Sequence, residues 1–303
     1  MKYFLTSNPL LTKDQKLNPS NEFVDNLKRD IPEMANALFI CSDPNSYGLT
    51  DKFSEEMKTC FFNSGFNFKK FKVLDNRNAK GKSELINEAE VVILAGGHVP
   101  TQNQFFQQIN LKNELKNSNK IIIGFSAGSM NCSEEVYAQP ELPGESLSPN
   151  YKRFLKGLGI TKSQILPHYN LVKNEYLDGK KLFEEITYPD SFGRAFITLN
   201  DGSYLYGDGQ YEIVYGESLI ISDGTIKKWA KTLFHAYSKG RVENKNVKKI
   251  NILYLLEHSK QSIESRHNLL LKNCRGILKI VWWEKTARLL TEYFPIDLLR
   301  GPS

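Results

Sequence analysis

The sequence predicts an α/β fold, an open and mostly parallel sheet with helices on both faces. Three observations lead there. Short β-rich runs alternate with longer amphipathic segments through the first 125 residues. The run "VVILAGG" (Val91 to Gly97) is apolar on consecutive positions, as a parallel strand covered on both faces must be. Two glycine-rich segments, "AGG" and "GFSAG", each close an apolar run. In such sheets ligands gather beyond the carboxyl ends of the strands, so these two segments are expected to be neighbours in space.

Taken in order, "KYFLTS" is the first strand, followed by a helix from about Ser20 with Phe23, Leu27 and Ile31 at helical spacing. "ALFICSD" (Ala37 to Asp43) is the next strand. "LTDKFSEEMKTCFFNSG" follows as a helix, with Thr50 as its N-cap and Gly65 as its C-terminal stop. "FKKFKVLD" is a weaker strand, then comes a short helix from Lys82 to Ala89. A helix from Thr101 to about Asn117 leads from "VVILAGG" to "KIIIG". Beyond Ser133, "VYAQPELPGESLSPNYKRF" reads as a long loop over the site, "SQILPHYN" as a short strand ending in His168, and "LDGKKLFEEI" as helical. "AFITLNDGSYLYG", "YEIVYGESLIIS" and "TIKKW" then read as antiparallel strands, with "NDG" and "SDG" as turns.

With 303 residues the chain can hold one large domain, or one of about 230 residues and an appendage. Its 40% hydrophobic and 24% charged content is that of a soluble globular protein. It has no run near the roughly 18 apolar residues of a membrane span. The N-terminal apolar stretch is cut by Ser7, Asn8 and Pro9 and does not read as a signal peptide, so a cytoplasmic protein is expected. Cys41, Cys60, Cys132 and Cys274 show no CxxC spacing, which argues against a zinc site or disulfide framework. Charge is uneven. From Lys231 to Ser303 there are 14 Lys/Arg against 6 Asp/Glu, and this excess of 8 within a total of +6 leaves the first 230 residues at −2. Nucleic acid is therefore not an expected partner of a main domain at 1–230. The basic extension at 231–303 reads as largely helical, with Trp282 and Trp283 in its second helix.

"KIIIGFSAGSMNC" carries the chemistry. A Gly-x-Ser-x-Gly turn between a buried strand and a helix is a nucleophile elbow, in which small residues allow a sharp turn that lifts the serine from the sheet. Ser126 is then the candidate nucleophile, and the Ala127 N–H one oxyanion donor. Of five histidines, His235, His258 and His267 fall in the basic tail. His168, which follows an apolar strand and Pro167, is the better base, and His98 is expected to shape a loop after Gly96-Gly97. Asp201 in "LNDGSY" is either the acid that orients the imidazole or a turn aspartate before glycine. The order Ser126, His168, Asp201 is not that of α/β-hydrolases, where the acid precedes the histidine.

"AGGHVPTQNQF", "IIIGFSAGSMN", "ILPHYN" and "NDGSY", in this order and spacing, resemble peptidase E, the aspartyl dipeptidases, and their relatives the cyanophycinases. The resemblance spans roughly Tyr3 to Trp229. It implies a flavodoxin-like, class I glutamine amidotransferase-like sheet and a serine peptidase acting on small peptides, with dipeptides bearing an N-terminal aspartate as the leading substrates. The implied nucleophile is Ser126, the base His168, and the oxyanion amides those of Gly97 and Ala127. The third member is a glutamate before glycine in peptidase E, and Asp201 stands at the matching position. The arginine that resemblance demands for the substrate's aspartate has Arg194 as its candidate, with Lys173, Lys180 and Lys181 as alternatives, though lysine lacks the bidentate fork. No metal or cofactor is implied, and a monomer or homodimer is expected. A non-catalytic binding protein on the same fold is the rival reading. A glutamine amidotransferase is disfavoured because the elbow holds serine, with Cys132 six positions on and expected inside the helix.

Overall fold

The computed structural model describes residues 1–227 and the backbone of 228, 234 and 235. Strand β1 (Lys2–Thr6) opens the chain and helix α1 (Phe23–Asp30) follows. Then come β2 (Asn36–Ile40), α2 (Tyr47–Asn63), β3 (Lys70–Leu74), α3 (Lys82–Glu88), β4 (Val91–Leu94), α4 (Val99–Gln108), α5 (Leu111–Leu115) and β5 (Ile121–Phe125). These five strands pair in parallel in the spatial order β3-β2-β4-β5-β1.

Side-chain alternation along the strands builds a core on each face. Leu38, Ile40, Val92, Leu94 and Ile122 meet Ile86 of α3, Phe105 and Phe106 of α4 and Leu115 of α5. Ala37, Phe39, Val91, Ile93 and Ile123 meet Phe23 and Leu27 of α1 and Met57 and Phe61 of α2. The residues of β4 are wholly buried, as its unbroken apolar run requires.

The second half starts with helix α6 (Ala127–Met130) and an antiparallel pair, β6 (Glu135–Tyr137) with β7 (Phe154–Lys156). Strand β8 (Gln164–Leu166), helices α7 (Tyr169–Val172) and α8 (Tyr188–Asp190), and strands β9 (Ala195–Thr198), β10 (Tyr204–Gly207), β11 (Tyr211–Tyr215), β12 (Leu219–Ser222) and β13 (Thr225–Lys228) complete it. Strand β10 lies antiparallel on β1, β11 on β10, and Phe234–His235 on β11, which extends the main sheet to eight strands. A second sheet runs β8-β9-β12-β13. Its apolar face, with Leu166, Phe196 and Ile221, joins Val99, Ala127, Met130 and Tyr137 in a third cluster. The Tyr137 and Phe196 rings stack at 4.4 Å.

Four sequence expectations change. Helix α2 starts at Tyr47, so Thr50 sits in its first turn and Ser46 holds the N-cap position. The cause is a turn at Asp43, whose carboxylate accepts the Asn45 N–H at 3.0 Å and the Ser46 hydroxyl at 2.6 Å and so launches the helix early. The helix expected from Thr101 to Asn117 is two, broken at Asn110 in the left-handed region (φ 53°) that asparagine tolerates. "LFEEI" forms a π-helix, Leu182–Thr187, after a two-residue ladder around Asp178-Gly179. The "NDG" segment is not a hairpin: β9 pairs with β8 in parallel while β10 joins the main sheet, so the turn crosses between sheets. "SDG" is one, with Asp223 and Gly224 both at positive φ (48° and 74°) between β12 and β13. Gly65 does close α2, at φ 88°. The helices expected after Lys231 lie outside the described residues. Among the described residues, no helix is long and apolar enough to cross a membrane.

Candidate active site

The site sits at the carboxyl ends of β1, β4 and β5, where the turn after β5 rises from the main sheet. The glycines of "GFSAG" are there for space. A Cβ on Gly124 would come within 2.8 Å of the Ser129 backbone, and one on Gly128 within 2.3 Å of the Leu94 carbonyl oxygen. Real Cβ atoms do not approach so closely, so the helix can lie against the strands only with glycine at both positions. Between them Ser126 takes φ 48° and ψ −110°, a strained backbone for a residue with a Cβ.

That conformation is tied to the neighbouring strand. The Ser126 N–H donates to the carbonyls of Thr6 and Ser7, each at 3.1 Å. The Ser129 hydroxyl donates to the Thr6 carbonyl at 2.7 Å, and the Thr6 hydroxyl to the Gly124 carbonyl at 2.8 Å. The strain is thus over-determined by β1, which pairs directly with β5.

Three of the expected side chains come together. Ser126 Oγ lies 2.9 Å from His168 Nε2, and His168 Nδ1 lies 2.7 Å from Asp201 Oδ1. A carboxylate only accepts hydrogen bonds, so Nδ1 carries the proton and Nε2 is free to accept from the serine. His168 stands at φ 59° where β8 ends and α7 begins, so its ring is delivered by a left-handed residue rather than by a regular strand. Asp201 comes from the turn between the two sheets. Burial opposes its charge, but hydrogen bonds from His168 and Ser7 outweigh that and hold its carboxyl below the ordinary carboxylate value. The His168 and Asp201 side chains are 30% and 33% exposed, so the chain of contacts opens to solvent where a substrate can enter.

The expected oxyanion amides are also near. A Cβ on Gly96 would lie 3.4 Å from the Ser126 Cβ, which brings "AGG" beside "GFSAG". Gly97 is exposed at φ 152°, and a Cβ there would strike the Ser42 side chain at 2.4 Å. Ala127 is the first residue of α6, so its N–H has no acceptor within the helix. His98 shapes a loop, as expected: Nδ1 contacts Thr101 Oγ1 at 2.7 Å and Nε2 contacts Glu145 Oε1 at 2.9 Å. Glu145 in turn accepts the Glu141 and Leu142 N–H groups, fastening the "ELPGE" loop beside Gly97.

The cationic candidates are placed differently. Arg194 donates to Glu135 at 2.9 Å and lies 3.8 Å from the centre of the Phe154 ring, so its charge already has a carboxylate partner. Lys173 closes α7, the helix that His168 begins, with its ammonium 3.2 Å from Asn170 Oδ1. Lys180 and Lys181 lie in the two-residue ladder with Tyr176–Leu177. Cys132 lies beyond the end of α6 rather than inside it, with its buried thiol on the Gly128 carbonyl at 3.2 Å. Burial pushes that thiol well up, so it is no nucleophile. Among the described residues, no group of three or more His, Cys, Asp or Glu side chains could hold a metal ion.

One contributor escaped the sequence reading. Ser7, at the end of β1, is 1% exposed and bonded to both His168 and Asp201. Only the adjacency of β1 and β5 reveals it, and nothing local to "LTSNP" announces that pairing.

Comparison with known proteins follows the same outline. Residues 3–213, more than two thirds of the chain, match the family model described as peptidase family S51. Among solved structures, the chain is similar to a peptidase from an acI-B1 Actinobacterium, at 19% identity and a TM-score of 0.51, covering 78% of this chain and 95% of that one. It is also similar to a putative peptidase E protein from Listeria monocytogenes EGD-e, at 16% identity and a TM-score of 0.49, covering 70% and 96%. No curated protein matches the chain.

Proposed function

The chain belongs to peptidase family S51 and is a serine peptidase, and we propose that Ser126 is its nucleophile, His168 its base and Asp201 the acid that orients it. The observation that carries this reading is the unbroken Ser126–His168–Asp201 hydrogen-bonded chain at 2.9 and 2.7 Å. His168 Nε2 takes the hydroxyl proton as Ser126 Oγ bonds to the peptide carbonyl carbon. The negative charge that develops on the carbonyl oxygen meets the N–H groups of Gly97 and Ala127. His168 then gives its proton to the amine nitrogen, the C–N bond breaks, and an acyl ester on Ser126 remains. Water repeats the sequence: His168 removes its proton, the hydroxide adds to the ester, and the proton returns to Ser126 as the acid leaves.

The substrates are small peptides, dipeptides with an N-terminal aspartate foremost. Lys173 is the better candidate to meet that side chain, because it closes the short helix that His168 begins and its partners, Asn170 and the Tyr169 ring, are neutral, while Arg194 already pairs with the Glu135 carboxylate. The strand order β3-β2-β4-β5 supports a flavodoxin-type sheet, with β1 in the fifth place. The protein works in the cytoplasm as a monomer or homodimer, through a peptidase domain that runs past residue 230 to take in Phe234–His235, which pair with β11, and the rest of the chain is a basic extension.

A dipeptide library assayed with wild type and Ser126→Ala side by side tests this. Cleavage of aspartyl dipeptides by wild type and not by the variant is expected. Cleavage confined to peptides without aspartate would overturn the specificity, and equal cleavage by both proteins would overturn the nucleophile.

A further inference from the structure

The reach of Ser7 exceeds that of any other residue around the candidate triad. Its hydroxyl lies 2.7 Å from Asp201 Oδ1, 2.8 Å from the His168 backbone nitrogen and 3.3 Å from His168 Nδ1. Its carbonyl accepts the Ser126 N–H at 3.1 Å. One residue thus touches the nucleophile's backbone, the base's backbone and the acid's side chain.

Proton bookkeeping gives these contacts a direction. A hydroxyl has one proton and two lone pairs. The carboxylate can only accept and the His168 backbone N–H can only donate. The Ser7 proton therefore goes to Asp201, and a lone pair takes the His168 N–H. The other lone pair faces Nδ1 at 3.3 Å, so both acceptors near Nδ1 require that nitrogen to be the protonated one. The backbone bond also holds His168 at φ 59°, which an L-residue adopts reluctantly. At 1% exposure the hydroxyl is sealed from bulk water.

We propose that Ser7 is a positioning residue that fixes the ring orientation and tautomer of His168, by holding its backbone and Asp201 with one buried hydroxyl. The proposal depends on the triad reading above. It acts through His168 and Asp201 and touches no substrate.

The test uses the full chain with Ser7→Ala and Ser7→Cys, with Ser126→Ala as the control. Two readouts are taken: kinetics on an aspartyl dipeptide, and the downfield proton NMR resonance of the His168 Nδ1–H, which needs no substrate. With Ser7→Ala, kcat should fall about 10- to 100-fold, the scale of a small misplacement of a catalytic group, while KM stays within twofold. The Nδ1–H resonance should shift or broaden, which a generally loosened fold would not do selectively. Should Ser7→Ala fail to fold, Ser7→Cys fills the site with a slightly larger group that donates weakly, and the same pair of changes is expected. Wild-type kcat together with an unmoved resonance, in whichever of these variants folds, overturns the positioning role. Full activity in Ser126→Ala would instead overturn the triad reading, so the two failures are distinct.

Discussion

Asp201 shows what a single contact does at this site. Its carboxyl is held low despite partial burial, because His168 and Ser7 both donate to it. A depressed folded value means that its contribution to stability is present above the unfolded value near 3.9 and is lost as pH falls through the lower folded value. Asp201→Asn, which cannot ionise, should melt below wild type at about pH 5–7 and converge with it in strong acid. Its kcat should drop roughly 10³- to 10⁴-fold, because an amide can present N–H to Nδ1 and favour the wrong tautomer. Circular dichroism melts across pH and steady-state kinetics check both statements. From the sequence, Ser126 and His168 stood out by their neighbours, glycine and proline, whose backbone effects are local. Asp201 stayed balanced between acid and turn residue, because its partner lies 33 positions away. Ser7 gave no signal, since its role arises only from strand pairing.

At the scale of elements, the turn between β5 and α6 is where packing and chemistry meet. Alanine at Gly128 gains up to about 1 kcal/mol of helix propensity. Against this, its Cβ would lie 2.3 Å from a main-chain oxygen of β4, a clash that no side-chain rotation relieves. Overpacking of this kind costs about 1–3 kcal/mol, so the clash wins. Gly128→Ala should lower the melting temperature and, because α6 carries the Ala127 N–H, reduce kcat as well. A thermal melt paired with kinetics reads both. The parallel strands were legible because buried parallel strands are continuously apolar. The Thr101–Asn117 segment hides its break because Asn110 adopts a left-handed backbone, a choice that propensity leaves open. The "NDG" turn does not announce its topology, because a hairpin and a crossing between sheets share the same local chemistry.

Across the molecule, the candidate site is assembled from two sheets. Ser126 and Ser7 come from the main sheet, His168 follows β8 of the second, and Asp201 lies on the passage from β9 to β10. The third hydrophobic cluster, with Phe196 wholly buried against Tyr137, holds them in register. Phe196→Ala should cost about 3–5 kcal/mol through the cavity it leaves. It should abolish activity at denaturant concentrations where the main sheet still gives its far-UV signal. Coincident loss of both would show that the second sheet has no separate hold on the site. This two-sheet design was the least legible feature, since which strands share a sheet depends on pairing that no single segment encodes.

Whether Ser126 is the nucleophile is read from kcat/KM of Ser126→Ala against wild type on the best-cleaved dipeptide. The variant should fold as wild type does, since alanine keeps the Cβ and loses only the hydroxyl that meets His168, and its kcat/KM should fall about 10⁴- to 10⁶-fold. A folded Ser126→Ala protein with kcat/KM near that of wild type would remove Ser126 from the chemistry.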